Sequence, residues 1–349
     1  MRTTKMMQLR LLSILILLYA TSLRAQQWEP ITEELLASVK DTTSQNDVLN
    51  RNVGALAVLP NSGNLILVLN GAHPIYISKD QGETWEPLKK AKTIGRSYGS
   101  FSANIDAVTD RVAIFMIVQK KGAPAKGLIL NHKGKVLTSI GKPEHDGWTW
   151  GMPDWQQRSP TTILGKEHHA WVKMWLSNDG GATWNLLDFE SRNPGVISET
   201  ILVAGNDDGI YRSIDKGKNW EKVAPYKVTG KTPIKYQNHF YWTTTAGLVY
   251  TKDQGYSWHI LPGKLKDSLW GPFFGKSEQE MMVVCKDGFY ISKDAGMSWE
   301  KEAEYFAPPN SNRNGAYNVM HPTNSYGWDA KNNIIYAAGL GGQAYRLKL

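Results

Sequence analysis

Short apolar runs recur along the chain, and pairs of them are followed repeatedly by a turn sequence that leads to a tryptophan. One example is the run 65–69, which a second strand-like segment follows before the turn Ser78-Lys79-Asp80-Gln81-Gly82-Glu83-Thr84-Trp85. Alternation with a period of two residues indicates β-strands, and glycine-containing polar turns indicate hairpins between them. The pattern therefore predicts an all-β chain built from repeated hairpins.

The turn sequence Ser-x-Asp-x-Gly-x-x-Trp occurs five times, with Thr251 replacing the serine in one copy. The copies occupy residues 78–85, 177–184, 213–220, 251–258 and 292–299. We expect the serine and aspartate to hydrogen-bond turn amides, the glycine to adopt a positive φ, and the tryptophan to start the next strand facing inward. This assigns the turn aspartates a structural role.

The spacing of the copies predicts a repeating unit of about 40 residues. The last four copies start 36, 38 and 41 residues apart, whereas the first gap of 99 residues is too long for one unit. Residues 127–137 in that gap keep the strand and the glycine but lack the aspartate and tryptophan. We therefore expect a sixth unit there, with a degenerate turn.

The two ends of the chain predict a seventh unit that they share. Residues 333–339 and 344–349 match the two strands that precede a turn, and Gln27-Trp28-Glu29-Pro30-Ile31 matches the strand that follows one. Repeats of this length are typical of propellers. The sequence thus predicts a single domain over residues 26–349, a seven-bladed β-propeller of four-stranded antiparallel blades closed by the N-terminal strand.

This repeat resembles the Asp-box, or bacterial neuraminidase repeat, of sialidase-like propellers. That superfamily includes sialidases, other glycoside hydrolases, polysaccharide lyases, and non-catalytic assembly factors and receptors, so the resemblance implies a fold and leaves the activity open. Sialidases carry an Arg-Ile-Pro type motif ahead of the first box. Asn50-Arg51-Asn52-Val53-Gly54 stands there in this chain, so we do not expect a classical sialidase.

Residues 1–25 have the layout of a cleaved secretory signal. Arg2, Lys5 and Arg10 precede or flank an apolar run of about ten residues, and Ala25 ends a suitable cleavage site. An uncleaved anchor is the alternative, but the run is about half the length of a spanning helix. We expect a secreted protein, periplasmic or extracellular, without a membrane span.

Charge and cysteine content narrow the classes of partner. The formal charge of +8 falls to +4 without residues 1–25, and this low charge does not favour nucleic acid as a partner. Cys285 is the only cysteine in the sequence, so no intrachain disulfide forms. The 14 tryptophans and 15 tyrosines fit inter-blade packing or stacking on sugars. The sequence indicates no cofactor or metal, and it leaves open whether a structural calcium ion is bound. We expect the protein to be a monomer.

Candidate binding residues cluster on the face that receives the connections between blades, since that face also receives the turns between second and third strands. Cations recur where blades begin, and Asn-Arg-Asn occurs twice. Arginine suits carboxylate or sulfate, so these residues indicate an acidic glycan, with solvated connector charges as the alternative. The predicted substrate-binding residues are Arg51, Asn52, Arg96, His73, Trp148, Trp150 and Arg313, and Lys231 and the pair Asp207-Asp208 fall on the same face.

Candidate proton-transfer residues lie on the same face. They are His168, His169, Tyr98, Glu167 and Tyr317. A lyase needs a base beside a neutralised carboxylate, and a hydrolase needs two acids at a fixed separation. We therefore predict a glycoside hydrolase or polysaccharide lyase acting on a uronate- or sialate-bearing glycan; the alternative is a non-catalytic propeller that binds an acidic glycan or protein.

Overall fold

The apolar segments form strands that pair with their sequence neighbours into four-stranded antiparallel sheets. The structure is a computed structural model. It describes residues 27–39, 53–69, 75–88, 97–106, 110–118, 127–140, 150–155, 161–167, 173–309, 325–339 and 342–349. In these ranges the strands make seven sheets: six have their strands in consecutive order, and the seventh joins the N-terminal strand to the last three strands of the chain.

The seven sheets are the blades, numbered along the chain. Blade 1 contains β2 (Val53–Val58), β3 (Leu65–Leu69), β4 (Ile75–Ser78) and β5 (Glu86–Pro87); blade 2 contains β6 (Ser97–Asp106), β7 (Arg111–Val118), β8 (Gly127–Leu130) and β9 (Val136–Ile140). Blade 3 contains β10 (Trp150–Trp155), β11 (Ile163–Glu167), β12 (Lys173–Ser177) and β13 (Asn185–Glu190); blade 4 contains β14 (Asn193–Val196), β15 (Leu202–Gly205), β16 (Ile210–Ser213) and β17 (Glu221–Ala224).

Blade 5 contains β18 (Ile234–Tyr236), β19 (His239–Thr244), β20 (Gly247–Thr251) and β21 (His259–Ile260); blade 6 contains β22 (Ser268–Phe274), β23 (Met281–Cys285), β24 (Gly288–Ser292) and β25 (Glu300–Glu304). Blade 7 contains β26 (Ser325–Asp329), β27 (Ile334–Ala338), β28 (Ala344–Lys348) and β1 (Glu29–Pro30). A short helix, α1 (Glu33–Ser38), follows β1.

The predicted seven-bladed propeller and its closure are confirmed. The first strand of a blade packs against the first strand of the next, as β2 does with β6 and β26. Closure joins β1 to β28, with Glu29 opposite Arg346 and Pro30 opposite Tyr345. Because each blade runs through four antiparallel strands, the Asp-box turns lie on one face, and the blade-to-blade connections lie on the other, called here the connector face.

The Asp-box turns have the predicted hydrogen bonds. In the box of blade 3, the Ser177 hydroxyl donates to Asp179 at 2.8 Å and accepts from the Gly181 amide at 2.7 Å, while Asp179 accepts from the Thr183 amide at 2.9 Å. Gly181 has a φ of +89°. The other boxes repeat these contacts, so the motif fixes a hairpin.

The expected degenerate turn in blade 2 is also present. Residues 131–135 connect β8 to β9, and the Asn131 side chain accepts hydrogen bonds from the amides of Lys133 and Lys135 at 3.0 and 2.9 Å. Gly134 keeps a positive φ of +71°. An asparagine therefore performs the turn function of the missing aspartate.

The core lies between the blades. Its clusters join apolar side chains of successive sheets, such as Phe289 of blade 6 with Trp328 and Ile335 of blade 7. The single cysteine, Cys285, is buried in β23, and burial raises the pKa of its thiol to about 12. In the described ranges no helix is long and apolar enough to cross a membrane.

Candidate functional site

The innermost strand of blade 5 is interrupted beside the central channel. Val228 bridges to Thr244, and the amides of Thr229 and Gly230 both donate to the Thr243 carbonyl, at 3.0 and 3.2 Å. Regular pairing with β19 resumes only at Ile234. The connector therefore adds a short inner segment to blade 5, and residues 231–233 form a break in it at the connector face.

A contact with blade 4 and a hydrogen bond within blade 5 hold this break in place. Pro233 is buried against Gly195 of β14, where an added β-carbon would lie 2.6 Å from the proline ring. The Trp242 indole donates to the Gly230 carbonyl at 3.2 Å. Since both flanks of the break are fixed, the backbone that carries Lys231 is pre-positioned at the channel mouth.

Two lysines from different blades converge at this mouth. Lys166, near the end of β11, is only 5% exposed, and burial followed by the charge of Arg192 lowers the pKa of its ammonium to about 8. Burial followed by the charge of Lys166 lowers the pKa of Lys231 to about 8 as well. Like charges brought together out of water favour an anion between them.

Lys231 has no compensating carboxylate in the part of the chain that the structure describes: its ammonium has no hydrogen-bond or ion-pair partner there. The other nearby cations differ in this respect. Arg192 lies 3.4 Å from Asp207, and Lys227 lies 3.0 Å from the same carboxylate. An unpaired, partly buried ammonium beside other cations has the chemistry of an anion-binding group.

The two aspartates of the blade 4 turn are engaged in ion pairs. The hydrogen bond and charge of Lys227 hold the pKa of Asp207 below its usual value. Asp208 accepts from the Tyr211 hydroxyl at 2.6 Å and pairs with Lys222 at 3.1 Å, and these bonds lower its pKa too. Both carboxylates are therefore ionised at neutral pH and unsuited to act as general acids.

Most of the residues predicted from sequence lie outside the described ranges. These are the candidate catalytic residues His168, His169 and Tyr317 and the candidate binding residues Arg51, Asn52, Arg96, His73, Trp148 and Arg313. For three others the structure gives the strand that carries them: Tyr98 lies in β6, and Trp150 and Glu167 are directly opposite each other in β10 and β11. Their proposed roles stay predictions.

Lys166 and Arg192 are residues of this mouth that were not predicted from the sequence. The sequence nevertheless contains a signal for each. Lys166 directly follows the strand-like run Ile163-Leu164-Gly165, and a position in such a strand predicts burial. Arg192 directly precedes Asn193, the first residue of blade 4. The rule that selected Lys231 as a cation at the start of a blade also applies to Arg192. The described residues contain no cluster of three or more metal-ligating side chains.

The sequence comparison agrees with the repeat seen in the structure. The model of the BNR/Asp-box repeat family matches residues 76–87, which contain most of the third strand, the box and the fourth strand of blade 1. The chain is an Asp-box β-propeller. Xyloglucanase Xgh74A of Acetivibrio thermocellus is 26% identical to this propeller over 225 residues, which are 60% of the propeller chain and 24% of the relative. The chain thus spans about a quarter of the length of the curated relatives it matches.

Solved propellers also share similarity with this one at low identity. YCF48 from Cyanidioschyzon merolae is 13% identical with a TM-score of 0.44, and the match covers 85% of this chain and 95% of that one. An ancestral GH74 enzyme is 13% identical with a TM-score of 0.47, over 84% of this chain and 44% of that one. The fold assignment rests on the strand pairing described above.

Proposed function

We propose that this propeller is a secreted carbohydrate-active protein that holds an acidic glycan at its connector face. The sequence similarity to a xyloglucanase supports action on carbohydrate. The unpaired Lys231, placed beside Lys166, which in turn lies near Arg192, supports a glycan that carries carboxylate or sulfate. Export is part of the proposal and rests on the signal-like residues 1–25.

Lys231 carries the proposal because it is charged, held by a fixed backbone and unpaired within the described residues. In the free protein, burial and the neighbouring positive charge of Lys166 disfavour the charged form of this side chain. A carboxylate of a uronate or sialate residue would relieve that repulsion and gain a charge-assisted hydrogen bond. The chemistry after binding is glycoside hydrolysis or uronate elimination. The candidate side chains for it are His168, His169, Tyr98, Glu167 and Tyr317, together with others outside the described ranges.

A non-catalytic binding propeller is the second candidate, and one observation favours it. Asp207 and Asp208, the two acids of the blade 4 turn on this face, are each held in ion pairs with lysines. A hydrolase needs one carboxyl group that is protonated and one that is not. Binding of an acidic glycan without turnover would fit this arrangement.

The test uses the purified chain from Gln26 onward with uronate-bearing, sialate-bearing and neutral xyloglucan substrates. Unsaturated-uronate absorbance identifies a lyase, and new reducing ends without it identify a hydrolase. Lys231→Met should abolish activity or binding on acidic glycans, whereas Lys264→Met, which changes an exposed lysine of the connector between blades 5 and 6, should have no effect. Activity on xyloglucan that Lys231→Met leaves unchanged would overturn the acidic ligand and retain the carbohydrate activity.

A further inference from the structure

Three aromatic rings lie together at the connector face of blades 6 and 7. Trp270 is the third residue of β22, Tyr305 directly follows β25, and Tyr326 is the second residue of β26. First strands begin and fourth strands end at this face, so all three rings lie near it. Tyr326 is buried, whereas Trp270 and Tyr305 are partly exposed.

The rings form a fixed surface. Trp270 and Tyr305 are nearly parallel, with an interplanar angle of 9° and centroids 6.4 Å apart, and the Tyr326 ring lies 4.9 Å from Trp270. The Tyr326 hydroxyl donates to the Phe306 carbonyl at 3.1 Å, so the Tyr305 hydroxyl, 3.1 Å away, donates to Tyr326. This chain of hydrogen bonds locks both tyrosines and reduces the entropy lost when a ligand binds.

Trp270 occupies an irregular point of its strand. The pairing of β22 with β23 shifts register both before and after Trp270, between Ser268 and Trp270 and again between Trp270 and Phe273. Such irregularities redirect a side chain out of the regular alternation and are frequent beside functional sites. The side chain of Trp270 therefore departs from the alternation that regular pairing would impose on it.

Hydrogen bonds join the start of β22, the strand that carries Trp270, to β19 and to the connector that carries Lys231. The Thr229 hydroxyl donates to the Ser268 carbonyl, and the Thr243 hydroxyl donates to the Leu269 carbonyl at 3.3 Å. Lys231 is two residues beyond Thr229, and Trp270 is two residues beyond Ser268. By chain geometry their α-carbons are at most roughly 22 Å apart, a span that a short oligosaccharide bridges.

We propose that Trp270 and Tyr305 form a sugar-stacking subsite for a neutral residue of the glycan whose acidic residue is held at Lys231. The inference rests on the proposed function and adds a second contact for the same ligand. Partly exposed aromatic faces bury the apolar C–H face of a pyranose ring, and polar groups nearby fix its orientation. The acidic and neutral sugars would then occupy two neighbouring subsites on one face.

The test compares two probes by calorimetry: a free uronate monosaccharide, and a tetrasaccharide with one uronate end and neutral pyranoses. Tyr305→Ala should weaken tetrasaccharide binding about fivefold to tenfold and leave the monosaccharide unchanged, because only the longer probe reaches the rings. Tyr305→Phe keeps the ring but loses its hydrogen bond, so it should retain most of the affinity of the parent. Tyr256→Ala, which removes a 67% exposed ring on the Asp-box face, should have no effect.

The outcomes separate the subsite from the proposed function. If Lys231→Met abolishes binding of both probes but Tyr305→Ala changes neither, or weakens both equally while lowering the melting temperature, the subsite is wrong and the acidic site stands. If the tetrasaccharide binds the parent chain and Lys231→Met equally, the free uronate binds neither, and Tyr305→Ala weakens the tetrasaccharide, the subsite stands and the acidic ligand is wrong. Failure of every probe to bind the parent chain would overturn both.

Discussion

Ile31 covers the α-carbon of Gly82: a β-carbon added to this glycine would lie 2.8 Å from Ile31 Cδ1. Gly82 belongs to the box of blade 1, and Ile31 follows the last strand of blade 7. The same contact recurs between successive blades inside the ring, where Gly134 meets Leu88, Gly217 meets Leu187 and Gly296 meets Leu261. The seam that closes the ring is therefore packed like the internal seams.

Gly82→Ala should destabilise the closed ring by about 2–4 kcal/mol. The added methyl group meets Ile31, and Gly82 has a φ of +92° that alanine adopts only with strain. The free energy of unfolding, measured with denaturant, checks the size of the effect. In an Ile31→Ala background, Gly82→Ala should cost less, because the contact with Ile31 is absent and only the strain remains. Equal losses with and without Ile31→Ala would show that the contact is unimportant.

Arg346→Met should loosen the N-terminal strand specifically. Arg346 is 8% exposed; its Nε lies 2.9 Å from Glu29 of β1, and its Nη1 lies 2.6 Å from Glu83 and 3.2 Å from the Gln81 carbonyl of the first box. Loss of these charge-assisted bonds should cost about 2 kcal/mol. Hydrogen exchange of the Ile31 amide, bonded to the Ala344 carbonyl at 2.9 Å, should become faster.

Arg212→Met is the matched control for that variant. Arg212 lies on the third strand of blade 4 and donates to the Gln254 carbonyl of the blade 5 box at 3.0 Å, as Arg346 does to Gln81. Its replacement should lower stability without a local change at Ile31. Faster exchange of the Ile31 amide in both variants, to the same extent, would instead indicate global unfolding.

Acid should weaken the Asp-box turns between about pH 4 and pH 2. Hydrogen bonds from Thr183, then Ser177, lower the pKa of Asp179 to about 2, and Asn219 and Ser298 act in the same way on Asp215 and Asp294. A carboxyl group whose pKa is lower in the folded state binds fewer protons there than in the unfolded state. Its stabilisation is therefore present above about pH 4 and is lost as the pH falls.

Thr183→Ala tests this linkage at one box. Without the threonine hydroxyl, the pKa of Asp179 should rise toward its ordinary value, and carboxyl titration by NMR measures that change directly. Thr245→Ala, which changes an exposed threonine outside the boxes, should leave the titration of Asp179 unaltered. An Asp179 pKa that is the same in all three proteins would contradict the assignment.

The fold was predictable from sequence because the same local chemistry recurs. Each box needs only eight consecutive residues to form its turn, and the match between residues 27–31 and 84–88 revealed the shared blade. The site depends on contacts between distant residues. Lys231 stood out as a cation at the start of a blade, but its meeting with Lys166 depends on a break in the inner strand of blade 5, which no local pattern predicted.

Lys231→Met should make the free protein more stable at pH 7 while it abolishes binding of acidic ligands. The pKa of Lys231 falls from an ordinary 10.5 to about 8 on folding, so the folded state binds fewer protons than the unfolded state between these values. The destabilisation is complete below about pH 8 and disappears as the pH rises to about 10.5. The variant should therefore gain stability at pH 7, on the order of 3 kcal/mol at most, and the difference should vanish near pH 10.5.

Thermal unfolding with and without a uronate oligosaccharide measures both effects together. The ligand should raise the melting temperature of the parent chain at pH 7. Above pH 8 this increase should be smaller, because Lys231 and Lys166 lose their charge. The ligand should not raise the melting temperature of Lys231→Met. Lys264→Met should behave like the parent throughout. A Lys231→Met variant that is less stable at pH 7 and is still stabilised by the ligand would show that Lys231 stabilises the fold and does not bind the ligand.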